Sequence, residues 1–280
     1  MKNILLPTDF SDNSWNAIEY ALSFYKASNC NFYLLHVNKI SNIISHDYPY
    51  IPDQDVLLDI YIKPTKNQLK ALLKKISEVL PKNKKHNFYT LTDYNIFIES
   101  LRKHIEEKKI DVIVMGTKGA SGLGQFIIGS NTGDVITKVK CTTLVVPENA
   151  KFRKIGEVAF PTDFSLSNDF QVLQPITEIL EQKKSALRVL NISRIGLELN
   201  TDQQKNKELL EDYFDHYKYS FHFLTNKKVE DALQFFVESR AIDMIAMVAK
   251  NLNYFQQILF HNKIEEISYH TDIPFLVLHE

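Results

Sequence analysis

The chain is poor in glycine, with eight in 280 residues, and it carries two cysteines and one tryptophan. Cys30 and Cys141 lie far apart and neither belongs to a CxxC pair. That argues against a disulfide-framed fold and fits a reduced, cytoplasmic setting, with each cysteine a small buried hydrophobe. Neither charge dominates: 33 Lys and Arg face 34 Asp and Glu, for a net charge of −1. Nothing overall therefore draws the chain to nucleic acid or to an anionic membrane. The densest basic run, Lys82 to His86, is short and reads as a solvated loop. There is no run of about 18 apolar residues, so no membrane span is expected. The N-terminus, MKNILLPTDF, has a three-residue apolar run before Pro7 and lacks the core of a signal peptide.

What remains is an ordinary globular composition, 44% hydrophobic and 24% charged, at a length suited to one large domain or two ordinary ones. Against that background the glycines are unevenly placed. Six of the eight fall between Gly116 and Gly133, in MGTKGASGLGQFIIGSNTG. Glycine confers backbone freedom and is otherwise costly. Concentrating it here points to close backbone approach, the alternative being a plain surface loop. The apolar run Val112 to Met115 before it reads as a buried strand, and a helix is expected from about Asn131 to Lys140. Strand, glycine-rich loop and helix start together form a phosphate cradle.

The chain also repeats itself. Pro7-Thr8-Asp9-Phe10-Ser11 recurs as Pro161-Thr162-Asp163-Phe164-Ser165, at an offset of 154. Later, Asp111 to Met115 matches Asp243 to Met247, and Leu144 to Val146 matches Leu276 to Leu278, at an offset of 132. The chain thus reads as two copies of one unit, residues 1–148 and 155–280, with about 22 extra residues in the first, near Ile40 to Ile62. Each copy alternates strands with helices. In the first, strands are expected at 3–6, 31–37, 87–90, 112–115 and 143–146, with helices at 14–27, 65–80, 96–107 and 132–140. Ser11, Asp12 and Ser14 are all plausible caps for the first helix. The implied class is α/β: two tandem doubly wound, Rossmann-like domains, each a mainly parallel five-stranded sheet flanked by helices. Such sheets bind ligands beyond the carboxyl ends of their strands, where strand order reverses. Both Pro7-Thr8-Asp9 and the glycine loop follow strands at that end.

The spacing Gly116-x2-Gly119-x9-Gly129-Ser130 carries the chemistry. Gly116 and Gly119 leave room for backbone N–H groups to face a phosphate. Gly129, Ser130 and Asn131 open a helix whose free N–H groups and dipole favour an anion. Asp9 has two readings that are compatible: acceptor for adenine or ribose donors, or cap of the following helix.

On these motifs the chain resembles the universal stress protein family, in a tandem form with two such domains fused. Nucleotide-binding members carry G-x2-G-x9-G-[S/T] after the fourth strand and an Asp after the first, matched here by Gly116, Gly119, Gly129, Ser130 and Asp9. They also end the second strand on an aliphatic residue that meets the adenine, matched by Val37 in LLHV. The resemblance implies an adenine nucleotide alpha hydrolase-like fold and ATP as ligand, with or without Mg2+. It implies that Asp9 and Val37 contact adenosine, that Gly116 and Gly119 face the phosphates, and that Gly129, Ser130 and Asn131 hold them at the helix start. Pro7, Thr8 and Met115 would line the site.

The second copy departs from this pattern. It keeps Pro161, Thr162 and Asp163, but Val248, Asn251, His261 and Asn262 stand where the first copy has Gly116, Gly119, Gly129 and Ser130. A branched valine resists positive φ and fills the space a phosphate needs. This copy is expected to be a structural partner that binds no ATP in the family's manner.

Rival chemistries find little support. GxxxxGK[ST], GxGxxG and GxSxG are absent, the nine histidines are scattered, and no metal site is expected. The reading is a nucleotide-binding regulatory module for stress response, working through an unidentified protein partner. The alternatives are a slow ATPase or phosphotransferase, for which Lys118 and Asp134 make no convincing catalytic set, and a ligand-free scaffold. The last strand of each copy should sit at a sheet edge and invite pairing. The resemblance implies that the two copies pair as an intramolecular pseudo-dimer, with a homodimer of whole chains also open.

Overall fold

The structure, a computed structural model, describes residues 1–38, 62–117, 130–165, 170–193, 196, 198–226, 228–249 and 272–279. The chain divides into two compact units. One comprises Met1–Gly116 and Ser130–Cys141, and the other includes the chain from Thr142 onward.

The first unit runs β1 (Lys2–Pro7), α1 (Asp12–Phe24), β2 (Cys30–Asn38), α2 (Lys63–Val79), β3 (His86–Tyr94), α3 (Phe97–Lys108), β4 (Val112–Gly116) and α4 (Ser130–Lys138). Its strands lie in the order β3-β2-β1-β4, all parallel. A central parallel strand is covered on both faces, so it reads as a continuous apolar run. Ile4, Leu5 and Leu6 meet that demand and are fully buried. Ser11 begins α1 as its cap, its side chain accepting from the Ser14 N–H, and Asp12 adds an acid to the first turn, where the helix dipole favours it. The helix then buries Ala17, Ile18, Ala21, Leu22 and Phe24. By contrast, α2 buries only Thr65, Leu69 and Ile76 and is a surface helix with a narrow apolar stripe.

The next strand, β5 (Thr143–Val146), belongs to the second unit. There follow β6 (Glu157–Pro161), a 3-10 turn at Phe170–Leu173, α5 (Gln174–Lys183), β7 (Ala186–Ser193), α6 (Thr201–Phe214), β8 (Tyr219–Thr225), α7 (Val229–Ser239), β9 (Met244–Val248) and β10 (Phe275–Leu278). The strand order is β5-β10-β9-β6-β7-β8, parallel except that β5 runs antiparallel to β10. Each copy therefore supplies five strands, and the strand ending the first pairs with the strand ending the second.

Both sequence offsets reappear as matched hydrogen bonds. Asp111 accepts from the Asn3 N–H at 2.7 Å and returns its own N–H to the Asn3 carbonyl at 2.9 Å. Asp243 accepts from the Glu157 N–H at 3.1 Å and returns its N–H to Glu157 at 2.9 Å. Each carboxylate ties the start of the fourth strand to the start of the first. Cys30 and Cys141 are buried, and burial pushes the Cys141 thiol up to about 12. Among the described residues no helix is long and apolar enough to cross a membrane.

In both units the chain leaves the first strand toward one neighbour and later returns to its other side, which places the reversal of strand order between β1 and β4 and between β6 and β9. The crevice beyond those carboxyl ends is where an open α/β sheet receives a ligand.

Candidate functional site

The turn after β1 is built by short polar side chains that satisfy one another. The Thr8 N–H continues the sheet by donating to the Leu35 carbonyl at 2.9 Å, while the Thr8 hydroxyl bonds to Ser14 Oγ at 2.9 Å and accepts from the Phe10 N–H at 3.0 Å. Asp9 Oδ1 accepts from the Ser11 N–H at 3.1 Å and from the Ser11 hydroxyl at 2.5 Å. Asp9 is thus not the cap of α1. It braces Ser11, which is. Burial raises the Asp9 pKa, but hydrogen bonds from Ser11 and Ser14 outweigh it and hold the carboxyl below its usual range. The side chain stays exposed and ionised at the mouth of the crevice.

Phe10 takes a left-handed backbone, φ 65°, which costs a residue with a Cβ about 1 kcal/mol. Phe10 lies half-buried and stacks on His36, with ring centroids 4.6 Å apart and planes at 28°. His36 Nδ1 in turn lies 2.7 Å from the Thr8 carbonyl oxygen and donates to it. That bond fixes the tautomer, so His36 is a structural brace.

Gly116 ends β4 beside this turn, and its setting corrects one expectation. Its backbone is not in the left-handed region, so positive φ is not what requires glycine there. What lies there instead is a side chain. A Cβ at this position would stand 2.6 Å from Asn13 Oδ1, 2.7 Å from Asn13 Nδ2 and 2.8 Å from Asn13 Cγ. The amide of Asn13, the second residue of α1, occupies the space a side chain would need. From the other side, Thr132 Oγ1 of α4 donates to the Gly116 carbonyl at 2.9 Å. Asn13 and Thr132 are the residues sequence reasoning missed. Asn13 sits within a run of cap-forming residues, and nothing local says that it crosses to β4.

The remaining residues fall into place around this node. Pro7, Thr8 and Met115 are buried, and Val37 is half-buried against the core cluster that includes Leu5, Leu35 and Met115. Ser130 and Asn131 open α4 and are exposed, with Thr132 and Gly133 buried behind them. The first turn of this nine-residue helix has N–H groups without a partner inside the helix, and the positive end of its dipole lies at that point. Gly119 and Gly129 lie outside the described residues, as do Lys118 and the segment Ile40 to Tyr61. Asp134 is engaged with Lys138 at 2.7 Å.

The corresponding turn of the second unit has the same backbone and different neighbours. Phe164 repeats the left-handed conformation, φ 60°, and the Phe164 N–H returns to Thr162 Oγ1 at 2.9 Å. Asn191 stands in for His36, its Nδ2 donating to the Thr162 carbonyl at 2.9 Å. Here α6 reaches over the turn: Gln203 Nε2 donates to the Asp163 carbonyl at 2.8 Å and Asn206 Nδ2 to the Phe164 carbonyl at 2.7 Å. Phe164 is fully buried, near Phe221 and Phe223. Val248 ends β9 and is buried where Gly116 ends β4.

Residues 1–147 match the model of the universal stress protein family. The chain belongs to that family. A universal stress protein of Methanocaldococcus jannaschii is 28% identical over 54% of this chain and 84% of its own length. A solved universal stress protein from Archaeoglobus fulgidus superposes with a TM-score of 0.71 at 18% identity, covering 98% of this chain and 97% of its own, which speaks to the fold. A universal stress protein solved in complex with cAMP covers 52% of this chain and 96% of its own, at 22% identity and a TM-score of 0.39. That ligand is a finding about that protein.

Proposed function

We propose that this universal stress protein is a regulatory module that binds ATP in its first domain, residues 1–148, and uses its second, residues 155–280, as a structural partner. One observation carries the reading: the Asp9 turn, Gly116 and the exposed start of α4 meet at the reversal of strand order in the first unit. In the second unit Val248 and the side chains of α6 occupy the matching places.

The residues suit the ligand. Asp9 keeps a charged acceptor exposed for the ribose hydroxyls. Val37 offers an apolar edge with free backbone groups for adenine. Ser130 and Asn131, with Gly129 before them, present N–H donors to phosphate. Gly116 and Gly119 let the backbone approach, while Pro7, Thr8 and Met115 form the floor. Mg2+ would accompany the phosphates rather than rest on a protein cluster. Asp134 is paired with Lys138, so the helix start offers no free base for γ-phosphate transfer among the described residues. A switch needs only that ATP bind one state better than another. The two copies are also proposed to pair as an intramolecular pseudo-dimer.

Calorimetry on the nucleotide-stripped chain tests this. One ATP per chain, lost in the Gly116→Val, Gly129→His double variant that copies the second domain, is the expected result. Two per chain would overturn the structural role of the second domain, and none would leave a ligand-free scaffold.

A further inference from the structure

We propose that Asn13 is a contact residue of this crevice, its Oδ1 accepting a hydrogen bond from a hydroxyl or amino group of the nucleoside part of the ligand. The inference rests on the nucleotide reading above and assigns a role that the family motif does not contain. Among the described residues, Asn13 Oδ1 is shut off from solvent and has no hydrogen-bond partner. Its neighbours are all satisfied: Thr8 with Ser14, Asp9 with Ser11, and Thr132 with the Gly116 carbonyl. A buried acceptor left unpaired costs a protein stability, and native structures rarely tolerate one without a reason.

The Asn13 amide fills the space a side chain at residue 116 would enter: a Cβ there would lie 2.6 Å from the same oxygen, and the amide would have to move aside. A group that is unfavourable in the free protein, and lies between the Asp9 turn and the end of β4, fits one whose partner arrives with the ligand. The chemistry selects which part of the ligand that is. At neutral pH the phosphates of a nucleotide only accept, so an unmet acceptor is completed by the donors of the nucleoside, the ribose hydroxyls or the exocyclic amine.

The test compares wild type with Asn13→Ala in two measurements, ATP affinity by calorimetry and melting temperature of the nucleotide-stripped protein. The expected result is a split: affinity falls about tenfold, the worth of one such hydrogen bond, while the ligand-free melting temperature holds or rises. Wild-type affinity in Asn13→Ala overturns the inference and leaves the nucleotide reading standing. A loss of affinity that comes with a fall of several degrees in melting temperature also overturns it, since Asn13 would then be a packing residue. Absence of ATP binding by wild type removes the nucleotide reading itself, and with it this role.

Discussion

In the first unit the turn after β1 leans on His36, and Phe10 stays half-exposed, stacked on that ring. In the second the matching turn is held by Asn191, Gln203 and Asn206, and Phe164 is fully buried. The backbone is nearly the same, with φ of 65° and 60° at the two phenylalanines. The motif P-T-D-F-S therefore encodes a turn that starts a helix, and the turn alone does not make a ligand site. What differs is who satisfies the polar groups around it. A carbonyl already paired with Gln203 or Asn206 gains nothing from a ligand. In the first unit Asn13 Oδ1 is still unpaired among the described residues.

The largest expected effect comes from making the first crevice resemble the second at one atom. Gly116→Val should destabilise the protein by about 2 kcal/mol, because its side chain runs into Asn13, and ATP binding should be lost with it. Adding Asn13→Ala should return most of the stability but not the binding. Denaturant melts and calorimetry on the two variants separate these terms, and full stability in the single variant would show that the contact yields freely. Opening the second crevice is the converse. Gln203→Ala or Asn206→Ala should each cost about 1 kcal/mol, the net worth of a hydrogen bond, and leave ATP at one per chain. A second equivalent of ATP in the double variant would mean that α6 alone keeps that crevice shut.

Smaller changes sharpen the same contrast. His36→Asn copies the brace of the second unit: it keeps a donor for the Thr8 carbonyl but loses the stack on Phe10. A cost of about 0.5–1 kcal/mol is expected, measured by thermal melt, and a gain in stability would show that the stack is not supporting the turn. The smallest effect concerns acid. Asp9 titrates below its usual value of 3.8 in the folded protein, so its stabilising contribution is present above that pH and is lost as pH falls through the lowered value. Asp9→Asn should therefore flatten the acid limb of the stability profile slightly below pH 3.8 relative to wild type. An unchanged profile would mean that the Ser11 and Ser14 bonds do not favour the carboxylate.

Much of the fold was legible because it rests on local patterns. Apolar runs at 112–115 and 144–146 became strands, and Ser11, one of three candidate caps, became the cap of α1. Helix starts were less legible: α2 begins at Lys63, ahead of the expected Thr65, since Pro64 is well suited to a first turn. Asp9 was readable as important, but not as the brace of a cap two residues on. Gly116 was singled out as leaving room for a phosphate, whereas in the structure the space its Cβ would take is filled by the Asn13 amide. Asn13 lies about a hundred positions earlier, and no periodicity links the two.

The sequence by itself determined that the chain is two copies of one α/β unit, that the P-T-D-F-S turn closes each first strand, and that only the first copy keeps its glycines. These follow from repetition, alternation and the conformational range of single residues. The tertiary structure alone decided that β5 and β10 pair antiparallel and in which register, that Asn13 fills the space beside Gly116, and that α6 covers the turn of the second unit. Each of those depends on atoms brought together from distant parts of the chain, and a polar group's partner there is chosen by packing rather than by its neighbours in sequence.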